Sequence, residues 1–176
     1  MYIDADDFHE GNHRLELLKL IKEKIPNFKI SLFTVPMLCS AEWLNEMRKI
    51  EWIDMIPHGE YHPDPYECSE WTYKQSKEYL RRIEPLGLTK GFKAPGWQIS
   101  HGMYKALLEG GYWVADQPYN NNRRPKELPV YLLDSSEKHH FHVQNVCGNG
   151  IEESLQKILK LRGEFRFIKE IFDNKS

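Results

Sequence analysis

Hydrophobic positions along the chain fall into short blocks with two different periods. Leu15, Leu17, Leu18, Ile21 and Ile25 recur at helical spacing until Pro26 interrupts them. That spacing predicts a helix, because a proline inside one removes a backbone bond and clashes with the preceding turn. The same reading predicts helices over 41–50, over 69–83 with Ser69 as cap, over 100–109 with Gly110-Gly111 as the stop, and over 151–161. Apolar runs of strand length lie between them, over 2–5, 29–34, 52–56, 91–93, 112–115, 130–133, 141–146 and 165–168. No repeat, low-complexity tract or linker breaks the series, so residues 1–176 read as one domain. Strands alternating with helices imply an α/β fold with a mainly parallel sheet, open or closed into a barrel.

In such folds, sites are built at the carboxyl ends of the strands. Asp6-Asp7, His58, the segment Lys93 to Trp97, Asp116 and His142 all fall at or just past predicted strand ends. His58 and His62 stand four residues apart, a spacing that can place two imidazoles on one metal. Pro57, Gly59 and Pro63 argue against a helix there, so the pair is expected on a loop leaving a strand.

Asp7 with His58 and His62 would form a two-histidine, one-carboxylate donor set with open positions. Such a set suits one divalent metal, zinc first, with cobalt, nickel, manganese or iron also fitting. Asp6 could take a proton from water as general base, and His142 could return one to a leaving group. His140 shares a strand face with His142 and is its rival. The backbone N–H groups around Gly96-Trp97 could hold an oxyanion. His9, His13 and His101 read as surface residues. Asp4 and Asp6 begin like a calcium loop, but Phe8 occupies the third ligand position, and no Glu stands at the twelfth. Tyr61, Tyr66, Trp97 and Trp113 fit either a sugar-stacking platform or ordinary core packing.

Composition narrows the function. With 24 basic and 26 acidic residues, and Lys and Arg scattered, nothing suggests a nucleic-acid or anionic-membrane surface. No run approaches the length of a membrane span, and the N-terminus lacks the pattern of a signal peptide. Three separated cysteines, Cys39, Cys68 and Cys147, argue against a disulfide framework. These features together point to the cytoplasm.

Taken in order, the motifs resemble those of the polysaccharide deacetylases, the NodB-like carbohydrate esterases. Asp6-Asp7 matches that family's paired aspartates and His58-Gly-Glu-Tyr-His62 its His-x-x-x-His motif. Phe92-Lys-Ala-Pro-Gly-Trp97 resembles its Arg-x-Pro segment, Asp116 its later aspartate, and Phe141-His142 its final motif. Lys93 replaces the arginine, and Asp4-Ala5 stands where Thr/Ser-Phe is usual. The resemblance implies a distorted (β/α) barrel of about six to seven strands. It also implies a metal held by Asp7, His58 and His62, with Asp6 as base and His142 as acid. Lys93 would pair with Asp116, and Pro95, Gly96 and Trp97 would contact substrate. The implied reaction is metal-dependent removal of acetyl groups from an N-acetylated sugar or polysaccharide. A catalytically silent, metal-stabilised carbohydrate-binding domain and a hydrolase of small non-sugar amides are the alternatives.

Overall fold

The computed structural model describes residues 1–144 and 148–173. Among these residues, seven parallel strands form two sheets. In the first, β1 (Tyr2–Phe8) is flanked by β2 (Ile30–Thr34) and β7 (Lys138–His142), with β3 (Ile53–Pro57) beyond β2. The second runs β4 (Gly91–Lys93), β5 (Trp113–Asp116), β6 (Val130–Leu132). A single parallel bridge between His58 and Lys93 joins the sheets at the carboxyl ends of β3 and β4. The result is a distorted (β/α) barrel, as expected. Its helices are α1 (Leu15–Lys24), α2 (Ala41–Arg48), α3 (Tyr73–Ile83), α4 (His101–Glu109), α5 (Ile151–Ile158) and the short α6 (Glu170–Asp173).

Alternation along each strand decides what faces inward. Ile3 and Ala5 of β1, Leu32 of β2, Met55 of β3 and Phe141 of β7 pack in one cluster with Leu18 and Ile21 of α1, Leu44 of α2 and Ile158 of α5. Phe92 of β4 and Val114 of β5 pack with Tyr79 and Ile83 of α3 and with Met103 and Leu107 of α4. The opposite strand faces supply a third cluster of Phe33, Ile56, Trp113, Ala115, Tyr131 and Ile168. Because successive side chains point to opposite faces, Asp4, Asp6, Lys93, His140 and His142 share the face of this third cluster. The strands are therefore apolar outward, toward the helices. Inward they mix apolar and charged groups.

Several boundaries differ from the sequence reading. β1 runs on to Phe8, so Asp6 and Asp7 lie inside the strand rather than past its end. β7 covers Lys138–His142 instead of 141–146; part of the expected strand, with Cys147, falls outside the described residues. The strand expected over 165–168 contributes only one bridge, between Tyr2 and Arg166. β1 already has β7 on one side, and β2 joins it on the other only from Asp4 onward. That leaves the segment a single free corner. Phe165 and Ile168 are nonetheless buried, and Ile168 N–H donates to Ser31 Oγ at 3.1 Å. α3 is capped by Thr72, not Ser69: Thr72 Oγ1 accepts from Gln75 N–H, while the Gln75 side chain accepts from Thr72 N–H. The reciprocal pair satisfies two backbone donors at once, whereas Ser69 N–H closes a turn onto Tyr66 O.

Cys39 and Cys68 are free thiols, and burial pushes Cys39 up to about 11. Among the described residues no helix is long and apolar enough to cross a membrane. Replacing Thr72 by Ala should cost about 1 kcal/mol of stability through loss of the cap, measurable as a lower urea midpoint with an unchanged m-value.

Candidate functional site

In a regular strand, adjacent Asp6 and Asp7 would face opposite sides of the sheet. Here the β1–β2 register shifts between Ala5 and Phe8, and Asp7 takes a left-handed backbone conformation with φ 65°. This bulge turns Asp7 toward the mouth that Asp6 already faces. His58 Nε2 consequently lies 3.7 Å from Asp6 Oδ2 and 3.6 Å from Asp7 Oδ1.

The expected donor set is assembled. Asp7 Oδ1 is 3.3 Å from His62 Nε2, and the two imidazoles sit with ring centroids 5.0 Å apart. One donor atom from each of Asp7, His58 and His62 lies within 4.8 Å of the others. Two of the donors, His58 and Asp7, are held from behind. His58 Nδ1 donates to the Lys93 carbonyl at 3.0 Å, which leaves the Nε2 lone pair free. Burial pushes the His58 pKa down to about 4, so the ring is neutral near pH 7. Asp7 Oδ2 accepts from the Gln144 amide at 2.8 Å, leaving Oδ1 for the cluster. Lone pairs convergent in this way fit a divalent cation.

The loop carrying His62 is folded around one carboxylate. Glu67 accepts from the backbone N–H groups of Glu60 and Tyr61 at 2.8 Å and of His62 at 3.2 Å. Tyr79 Oη donates to Gly59 O at 2.6 Å. Gly59 has φ 63°; a Cβ there would collide with the Glu67 carboxylate and lie 2.7 Å from Pro95 Cγ. His62 is itself left-handed, with φ 50°, as is Trp97 with φ 60°. Three of the four non-glycine residues with positive φ among those described thus stand at this site. Strain of that kind persists where the surroundings over-determine it.

Beside the donor set lies a second cluster. Lys93 Nζ is buried 2.6 and 2.7 Å from the two oxygens of Asp6, with its ammonium over the rings of Trp97 at 3.9 Å and Phe33 at 5.0 Å. Burial alone would push the Asp6 carboxyl up, but Lys93, with His140 and His58, holds it far below the usual carboxylate range. In register with β1, His140 stands opposite Asp4 and His142 opposite Asp6. His140 Nδ1 is 2.6 Å from the buried Asp4 Oδ1. His142 Nε2 is 3.8 Å from Asp6 Oδ2, and burial pushes its pKa down.

Other expected residues are placed differently. Lys93 turns to Asp6, so the anticipated pairing with Asp116 is replaced. Asp116 accepts instead from Tyr104 Oη at 2.6 Å, Asn120 Nδ2 at 2.8 Å and Arg124 Nη1 at 3.0 Å. Through Asn120, which also donates to Trp97 O at 3.3 Å, it braces the Pro95–Trp97 turn. The Trp97 N–H is spent on Ala94 O at 3.1 Å and cannot also serve an oxyanion. Trp113 is core, stacked on Phe172, whereas Tyr61 and Tyr66 are exposed. His9, expected on the surface, is half-buried, with a pKa lowered by burial and influenced by Asp7, His13 and His62.

Asp4, Glu67 and Gln144 were not anticipated as site residues. For Asp4 a signal existed: Asp4-x-Asp6 and His140-x-His142 are matching period-2 pairs. Glu67 and Gln144 carried none.

This fold is that of the family 4 carbohydrate esterases. The chain is similar to the esterase domain of a multidomain xylanase from the hindgut metagenome of Trinervitermes trinervoides, with 16% identity and a TM-score of 0.60 over 99% of this chain and 91% of that one. A family 4 acetyl xylan esterase from Clostridium thermocellum, solved with a cobalt ion, is similar at 16% identity and TM-score 0.60 over 98% and 91%. A pseudoenzyme of the same family from Bacillus anthracis is similar at 12% identity and TM-score 0.58 over 98% and 64%. No family model matches the sequence, and no curated protein matches it.

Glu67→Ala removes the acceptor of three backbone donors without touching a donor atom of the triad. Divalent-metal affinity should fall about 10–100-fold, the usual effect of losing such support, as read by calorimetric titration of zinc or cobalt.

Proposed function

We propose that this chain is a divalent-metal-dependent hydrolase that removes acetyl groups from an N-acetylated sugar or polysaccharide. The observation that carries the reading is the convergence of Asp7, His58 and His62, with the remaining polar atoms of Asp7 and His58 tied back, directly beside an aspartate held ionised by a buried lysine. Proteins of like fold include a chitin deacetylase from Colletotrichum lindemuthianum and a peptidoglycan N-acetylglucosamine deacetylase. An acetylated carbohydrate is accordingly the substrate class of choice.

A cation held by the three donors, zinc first among those that suit two imidazoles and a carboxylate, would acidify water and polarise the acyl oxygen. The protein's own groups do the rest. Asp6 accepts the proton of the attacking water, and Lys93 keeps it ionised for that purpose. An imidazole of β7 returns a proton to the departing nitrogen; the motif resemblance points to His142. The Pro95–Trp97 turn, braced by Asp116 through Asn120, forms a wall for the sugar, and exposed Tyr61 and Tyr66 offer apolar faces nearby.

The fold neighbour from Bacillus anthracis makes a silent, metal-binding domain the competing reading. Asp6→Asn distinguishes the two. The enzyme reading expects acetate release from chitooligosaccharides by the wild type and a loss of about 100-fold or more in the variant, with zinc still bound. His62→Ala should lose both metal and turnover. A metal-loaded wild type that releases no acetate from any acetylated sugar would sink the enzyme reading.

A further inference from the structure

Proton delivery in this site has two candidate histidines on one strand face, and their surroundings differ. His140 Nδ1 is 2.6 Å from Asp4 Oδ1. Asp4 is buried, so its charge is balanced from within the barrel, and Tyr131 Oη reaches its other oxygen only at 3.4 Å. A carboxylate on Nδ1 fixes the tautomer and stabilises the imidazolium, the form that can give up a proton. His140 Nε2 then faces the reacting side: it is 3.7 Å from Asp6 Oδ2 and 3.5 Å from Lys93 Nζ, with the Trp97 ring 6.2 Å away. His142, by contrast, has a buried Nδ1 with no hydrogen-bond partner among the described residues. Nothing described there fixes its tautomer.

Asp6, His140 and His142 are also close enough to hold a second cation, but the Lys93 ammonium already contacts both oxygens of Asp6. That cation position is filled by the chain itself.

We infer that His140 is the general acid of the proposed hydrolysis, with Asp4 as its positioning residue, the two standing in register as members of Asp4-x-Asp6 and His140-x-His142. The inference rests on the hydrolase reading. As water adds to the acyl carbon, Asp6 takes its proton. When the carbon–nitrogen bond breaks, the leaving nitrogen takes the Nε2 proton of His140, giving the free amine and acetic acid, which ionises on release. The neutral ring keeps its Nδ1–H toward Asp4. Transfer of the proton from Asp6 back to His140 Nε2, 3.7 Å apart, resets the pair.

The test exploits leaving-group demand. Zinc-loaded full-length wild type, His140→Gln, Asp4→Asn and His142→Gln are compared on chitooligosaccharide N-acetyl groups and on 4-nitrophenyl acetate, whose leaving group departs without a proton. His140→Gln should lose about 100-fold or more of kcat on the amide and only a few-fold on the aryl ester, at unchanged zinc content. Asp4→Asn should show the same selective pattern in smaller degree, and it serves alone should His140→Gln fail to fold. His142→Gln should lower both activities by a similar factor. Amide-selective loss in His142→Gln instead, or equal loss on both substrates in His140→Gln and Asp4→Asn, overturns the assignment while leaving the hydrolase reading intact. A wild type that cleaves neither substrate refutes the hydrolase reading, and the assignment with it.

Discussion

Three aspartates of one strand, Asp4, Asp6 and Asp7, are buried, and the interior of the barrel is arranged around them. An isolated carboxylate removed from water costs far more than a folded domain can spare unless it is paired and hydrogen-bonded. Each of the three therefore has its own partner: His140 for Asp4, Lys93 for Asp6, and His58, His62 and Gln144 around Asp7. The partners come from β7, from β4 and from the loop that follows β3. Lys93 does so twice, since its ammonium neutralises Asp6 while its carbonyl orients His58 across the seam between the sheets. A planar arginine would present a different geometry here, so the lysine is not a neutral replacement.

The same constraint accounts for the irregular backbone. Placing two adjacent carboxylates on one side of a strand needs a break in the alternation, supplied by the bulge at Asp7. Bringing His62 back over Asp7 needs a tight loop, and its N–H groups have few acceptors except Glu67. The left-handed conformations of Asp7, His62 and Trp97 sit where several elements converge to hold them. Strain is thus concentrated where chemistry is proposed, and the regular strands around it supply rigidity.

Much of the fold was legible because helical periods and apolar runs of strand length survive in short blocks, and because Pro26 and Gly110-Gly111 punctuate them. The strand expected over 165–168 was not, since its apolar pattern is that of any buried segment; whether it pairs depends on a free strand edge, and β1 offers only a corner. Asp7, His58 and His62 were readable as a donor set from residue type and spacing. The partner of Lys93 was not, because charge alone is satisfied equally by Asp6 or Asp116. Arg124 decides it by occupying Asp116.

What the sequence by itself determined is which faces are apolar, where the elements begin and end to within a few residues, and which side chains could bind a cation or move a proton. Those properties are local, set by residue type and periodicity. Tertiary structure alone decided pairing: Asp4 with His140, Asp6 with Lys93, Glu67 with the histidine loop, Gln144 with Asp7. Glu67 reaches back only five to seven residues; the other contacts join residues far apart in the chain, and those between strands depend on register, where a shift of one position would turn the groups to the opposite face.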